Sequence, residues 1–199
     1  HRYSSAASDV YKRQILHALP PEVSKINITM GTPLQQHSIS IVIEALFDMH
    51  MTHTTKGFYY KTVEKIFSHK LIRTYCKKKG LNDPVDLVQT IIQKNQRFLN
   101  VKQLEEAKLA NYFGFLFSLW QKPKEAVESI CKLLQMLLPT ADTDNSQQLE
   151  SIHLFLTLFY QLDHQLRTYS FITNISELRA IYNAQIGTHK LSFSGEALK

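Results

Sequence analysis

Apolar residues recur along most of this chain in steps of three and four, the spacing that places side chains on one face of an α-helix. Ile39, Val42, Ile43, Leu46, Phe47 and His50 follow that rhythm. Ahead of them, Thr32-Pro33-Leu34-Gln35 reads as an N-cap, a proline at the first helical position and a glutamine able to return to the cap. A second helix is expected over about residues 56–79, with Tyr59, Val63, Ile66, Phe67, Leu71 and Tyr75 inward. Its end, Lys77-Lys78-Lys79-Gly80-Leu81, sets cations at the negative helix terminus, a glycine to turn left-handed and a leucine to fold back.

The same grammar continues. Asp83-Pro84 opens a helix with Asp86 in its first turn and Val88, Ile91 and Ile92 as its apolar face. Asn100 and Gln103 form a capping box, after which Leu109, Tyr112, Phe113, Leu116, Phe117 and Trp120 fall on one side of a continuing helix. Lys122-Pro123 begins another, carrying Val127, Ile130, Cys131, Leu134, Leu137 and Leu138 until Pro139 stops it. The polar stretch TADTDNS is a loop, and Ser146 caps a helix with Leu149, Ile152, Leu156 and Phe159. Leu154, Phe155 and Leu158 make that helix apolar on nearly every side, so it should be the most buried. Asn174 with Glu177 opens a last helix through Leu178, Ile181 and Tyr182. No β-pattern competes, and the expectation is an all-α chain.

Proline-opened helices thus start near residues 32, 83 and 123, steps of 51 and 40 residues, each followed by a second helix. That organisation resembles the two-helix units of HEAT and armadillo repeats. It implies antiparallel hairpins over about 32–79, 83–121 and 123–162, plus a terminal helix at about 174–185. They would stack as a solenoid, or, in the alternative, pack as an irregular bundle. Within residues 103–120, Leu104, Lys108, Leu109 and Asn111 are similar to a helix of MIF4G- and MA3-type HEAT domains. That resemblance implies a helical scaffold in RNA-processing or translation assemblies. Residues 15–31, with Pro20-Pro21, are expected to be an irregular lead-in, and residues 186–199 an irregular tail.

Residues 4–14, SSAASDVYKRQ, change the reading of the N-terminus. One choice of codons for all of them spells a transposase adapter used in short-read library preparation. Residues 1–14 are therefore read as an assembly scar, and the remainder as a fragment of a longer protein. Setting aside Arg2, Lys12, Arg13 and Asp9 lowers the formal charge from +6 to +4. A 44% hydrophobic content is sufficient for a core. The longest apolar runs, YFGFLFSLW and LFLTLFY, fall far short of the ~20 residues that span a bilayer. Cys76 and Cys131 lie on apolar helix faces and read as reduced core thiols, which favours an intracellular setting, cytoplasmic or nuclear. Asn27-Ile-Thr and Asn174-Ile-Ser fit the glycosylation triplet, without meaning outside a secretory context.

Candidate chemistry is sparse. Lys56, Lys61, Lys65, Lys70, Arg73, Lys77, Lys78 and Lys79 crowd the second helix against a single acid, Glu64. Lys61, Lys65, His69, Arg73 and Lys77 lie four apart and form a ridge suited to phosphates or an acidic partner, continued by Lys78 and Lys79; an ordinary solvated face is the competing reading. Nearby Phe58, Tyr59 and Tyr60 could stack a base or simply pack. His50 and His53 are one turn apart, with Asp48 and His37 as further donors, but nothing fixes a third and fourth metal ligand. The chain has no GxSxG, P-loop, HExxH, CxxC or glycine-rich dinucleotide turn. The resulting expectation is a non-enzymatic scaffold without cofactor or metal that binds a protein partner. The alternative is an RNA-associated helical domain acting through the basic ridge.

Overall fold

SISIVIEALFDMHM contains only two acids and no helix breaker, and it forms α1, Ser38–Met51. The computed structural model describes residues 33–141 and 146–187. The adapter-like segment, the lead-in, the cap Thr32, the 142–145 loop and the tail beyond Gly187 lie outside them. Pro33 does not open α1. Leu34–Gln36 form a 3₁₀ turn, and the α-helix begins after His37, whose backbone is extended. The expected apolar positions of α1 are all buried, and so are Ala45 and Met49. α1, rather than the helix from residue 146, is the element enclosed on most sides.

The predicted second helix is two. Phe58–Tyr59 form strand β1, followed by α2, Tyr60–Phe67, and α3, Lys70–Lys78. Ser68 ends α2, and the His69 ring accepts the Leu71 amide at 3.3 Å, capping α3. Side-chain-to-backbone bonding of this kind competes with helix continuation. The apolar face hid the break because Ile66, Phe67, Leu71 and Ile72 are buried on both sides of it.

α4, Pro84–Gln93, starts as expected at Asp83, whose carboxylate accepts the Val85 amide at 3.1 Å. Ile92 is not core, being 38% exposed. Phe98–Leu99, strand β2, pairs antiparallel with β1 in the register Phe58↔Leu99 and Tyr59↔Phe98, a two-residue ribbon in a helical chain. The Asn100–Gln103 capping box is present, with bonds of 3.0 and 2.9 Å. It opens only a short helix, α5, Val101–Glu106.

The continuing helix through Trp120 is replaced by α6, Ala110–Phe113, a 3₁₀ turn Gly114–Phe117 and an extended Ser118. Lys108 causes the first break, with φ 59°. Its amide bonds the Glu105 carbonyl and the next amide bonds Leu104, the double closure of a Schellman motif. Gly80 and Asn95 close α3 and α4 in the same way. Despite the break, Leu109, Phe113, Leu116, Phe117 and Trp120 are buried.

α7, Pro123–Leu137, and α8, Ser146–Thr168, form the most extensively packed helix pair, with a 3₁₀ turn at Leu138–Thr140 after α7. α9, Ile175–Gly187, begins at the Asn174–Glu177 capping box and runs two residues past the expected boundary. α9 packs on α7 and also returns to α1. Arg179 bridges Glu44 at 2.7 Å and Asp48 at 2.8 Å, and Tyr182 sits between the rings of Phe47 and Phe159. Cys76 and Cys131 are both free and buried.

Two glycines differ in what they protect. Gly57 has φ 117°, and a Cβ there would stand 2.3 Å from the Leu99 carbonyl oxygen. Gly80 has φ 68° with open space around it. Gly57→Ala should therefore cost more than ~3 kcal/mol and disrupt the ribbon, whereas Gly80→Ala should cost only about 1 kcal/mol. Urea unfolding of the two variants checks this ordering; equal losses would contradict it.

Candidate functional site

The break at Ser68–His69 divides the basic ridge. Lys61 and Lys65 project from α2, and Arg73, Lys77, Lys78 and Lys79 belong to α3 or its end. Lys61, Lys65, Lys77 and Lys79 are exposed. The remaining members have structural employment. His69 Nε2 meets the Ser38 hydroxyl at 3.0 Å, and burial lowers the affinity of this ring for a proton. Arg73 donates to both oxygens of Asp83, from Nε to Oδ1 at 3.2 Å and to Oδ2 at 3.0 Å, and from Nη2 to Oδ2 at 2.5 Å. This fork holds the N-cap of α4 against α3 and keeps the Asp83 carboxyl below the usual carboxylate range. Lys78 donates to the Thr140 carbonyl at 3.4 Å, tying α3 to the end of α7. The ridge is thus part clamp and part free cation.

His50 and His53 do not converge on a metal position. His50 Nε2–H donates to the Leu116 carbonyl at 2.8 Å, and Nδ1 accepts the Trp120 amide at 3.2 Å. Both nitrogens are used, which fixes the neutral tautomer. The ring stacks on the Trp120 indole with centroids 3.8 Å apart and planes within 9°. His53 instead packs on Phe58. Among the described residues no group of three or more His, Cys, Asp or Glu is arranged to hold a metal ion. Burial pushes the Cys76 thiol up to about 11 and the Cys131 thiol up to about 12, so neither is a nucleophile at neutral pH.

Two other surfaces stand out. A groove of about 260 Å³ runs between α4 and α5, lined by Asp83, Asp86, Thr90, Lys94, Gln103 and Glu106. It is open and small for an organic ligand. At the α8–α9 turn, Tyr169 and Phe171 pack ring to ring at 5.6 Å while remaining 51% and 64% exposed. Ile172 beside them is buried and anchors the turn, and Glu177 accepts from Thr173 and Asn174 to hold it. At the C-terminus of α1, Arg179 touches Met51, itself 44% exposed. This aromatic pair was missed from the sequence because it lies between helices, where no periodicity assigns a face. Its signal was the excess of aromatics in a turn, TYSFIT.

No described helix is long and apolar enough to cross a membrane. Comparison with family models, curated proteins and solved structures finds no match.

The neutral state of His50 has a measurable consequence. Burial, opposed by the Leu116 bond and aided by the charge of His53, lowers its pKa from 6.5 to about 4. Between those values the unfolded chain takes up a proton that the folded chain refuses. Stability should be complete above about pH 6.5 and fall by up to about 3 kcal/mol as the pH drops toward 4. His50→Gln, whose amide does not titrate, should flatten this part of the profile in urea unfolding measured across the window.

Proposed function

We propose that this chain is a non-enzymatic helical scaffold, a fragment of a larger protein, that mediates protein–protein interaction. The observation that carries the proposal is the exposed Tyr169–Phe171 pair. Aromatic side chains held rigidly on a surface supply large contact area at low entropic cost, the usual chemistry of an interface anchor. Two further features favour this over catalysis: both nitrogens of His50 are committed to the backbone, and both thiols are buried. For the arrangement of helices, we favour an irregular bundle over an open repeat stack. Its support is the return of α9 to α1 through Arg179 and Tyr182, a closure that a linear stack does not need.

A second reading, an RNA-associated domain, keeps specific support from the exposed lysines of α2 and the end of α3. Phosphate contacts would make such binding fall steeply with salt.

Two measurements test these readings. Immobilised chain should retain partner proteins from extract that free wild-type chain competes away. Tyr169→Ser with Phe171→Ser should compete at least tenfold less well, with an unchanged unfolding midpoint; equal competition would remove the aromatic anchor. For the second reading, Lys61→Glu with Lys65→Glu should weaken binding of labelled single-stranded RNA at least tenfold in fluorescence anisotropy at low salt. Unaltered affinity would exclude the α2 lysines as contacts.

A further inference from the structure

Three half-buried rings, which neither proposal has used, lie beside exposed lysines. Tyr75 of α3 and Tyr112 of α6 pack edge to face at 6.2 Å, both half-buried. The Lys79 ammonium lies over the Tyr75 ring, 5.8 Å from its centroid. Phe115 follows Tyr112 by three residues, in the 3₁₀ turn, and is also half-buried. Lys132 of α7 crosses to it, with its ammonium 4.3 Å from the Phe115 centroid. Both lysines are exposed, as is Lys108 one turn before Tyr112. The nearest acid along α7, Glu128, is paired with Lys124 at 3.6 Å.

We propose that this strip, Tyr75, Tyr112 and Phe115 with Lys79, Lys108 and Lys132, binds single-stranded nucleic acid. The inference rests on the second reading above and moves its contact surface from the α2 lysines to the junction of α3, α6 and α7. The chemistry is that of a stacking platform: ring faces accept bases, and flexible cations beside them accept phosphates. Lysine is suited to both states, since its ammonium covers a ring when no strand is bound and swings onto a phosphate when one is. A duplex cannot use the platform, because its bases are already stacked on each other. Charge complementarity, not apolar burial, selects the occupant; an acidic peptide would use the lysines but leave the rings unoccupied.

The test is anisotropy of a fluorescein-labelled oligouridylate of about a dozen bases with the full chain at low salt. Binding should weaken with salt at a slope of about 0.7 per phosphate contacted, close to 2 for three lysines. Tyr112→Ala should lose about tenfold or more in affinity, and Tyr112→Phe should retain it. Lys79→Glu with Lys132→Glu, both at exposed positions, should lose as much without lowering the unfolding midpoint, so the outcome does not depend on whether Tyr112→Ala folds. Undetectable binding at low salt would overturn this proposal together with the nucleic-acid reading. Binding that is lost in Lys61→Glu/Lys65→Glu but kept in Lys79→Glu/Lys132→Glu would leave the reading standing and overturn the strip. Equal affinity for duplex and single strand, insensitive to Tyr112→Ala, would also overturn it.

Discussion

The two hydrogen bonds of His50 fix the irregular link that joins the 3₁₀ turn at Gly114–Phe117 to α7. Between the 3₁₀ turn at Gly114–Phe117 and α7, the chain leaves helical geometry. Trp120 is the buried residue of that link, and the buried backbone groups there and at Leu116 must find partners. One imidazole supplies two of them, accepting from Trp120 and donating to Leu116, and it lays its ring on the Trp120 indole. The indole in turn meets Phe47, which meets Tyr182, which meets Phe159. On the other side His50 touches Phe58, then Phe117, Phe67 and Phe113 follow in contact. The aromatic contacts therefore run from α8 and α9 through α1 to α2 and α6. A charged imidazole at their centre would break one bond and place a cation in a site that offers it no carboxylate.

This arrangement decides what sequence could and could not reveal. Helix faces were legible because burial follows the 3.6-residue period: Val42, Leu46, Ile130 and Leu134 are all enclosed. Caps were legible because they are local chemistry, as at Asp83, Asn100 and Asn174. The failures have one cause. Where two short helices present their apolar faces to the same core, the period survives across the break, and only backbone geometry records it. Ser68-His69 was disguised in this way, and so was the turn at Lys108, where a lysine occupies the left-handed position that glycine usually marks.

The candidate sites were harder for a different reason. A lysine count does not tell a free cation from a clamp. Arg73 and Lys78, members of the same basic run as Lys65, are spent on Asp83 and on the Thr140 carbonyl. The His50–His53 pair, the most metal-like spacing in the sequence, divides into a core bracket and a surface ring. Conversely, the Tyr75–Tyr112 and Phe115–Lys132 contacts join residues 37 and 17 positions apart, which no local window brings together.

The burial of the only two cysteines also makes them useful silent reporters. An alkylating reagent added to the native chain meets no accessible thiolate, since Cys76 is on the buried face of α3 and Cys131 on that of α7. Each adduct would therefore register an opening of the helix that carries it. The ratio of the two adducts would show which of the two helices loosens first.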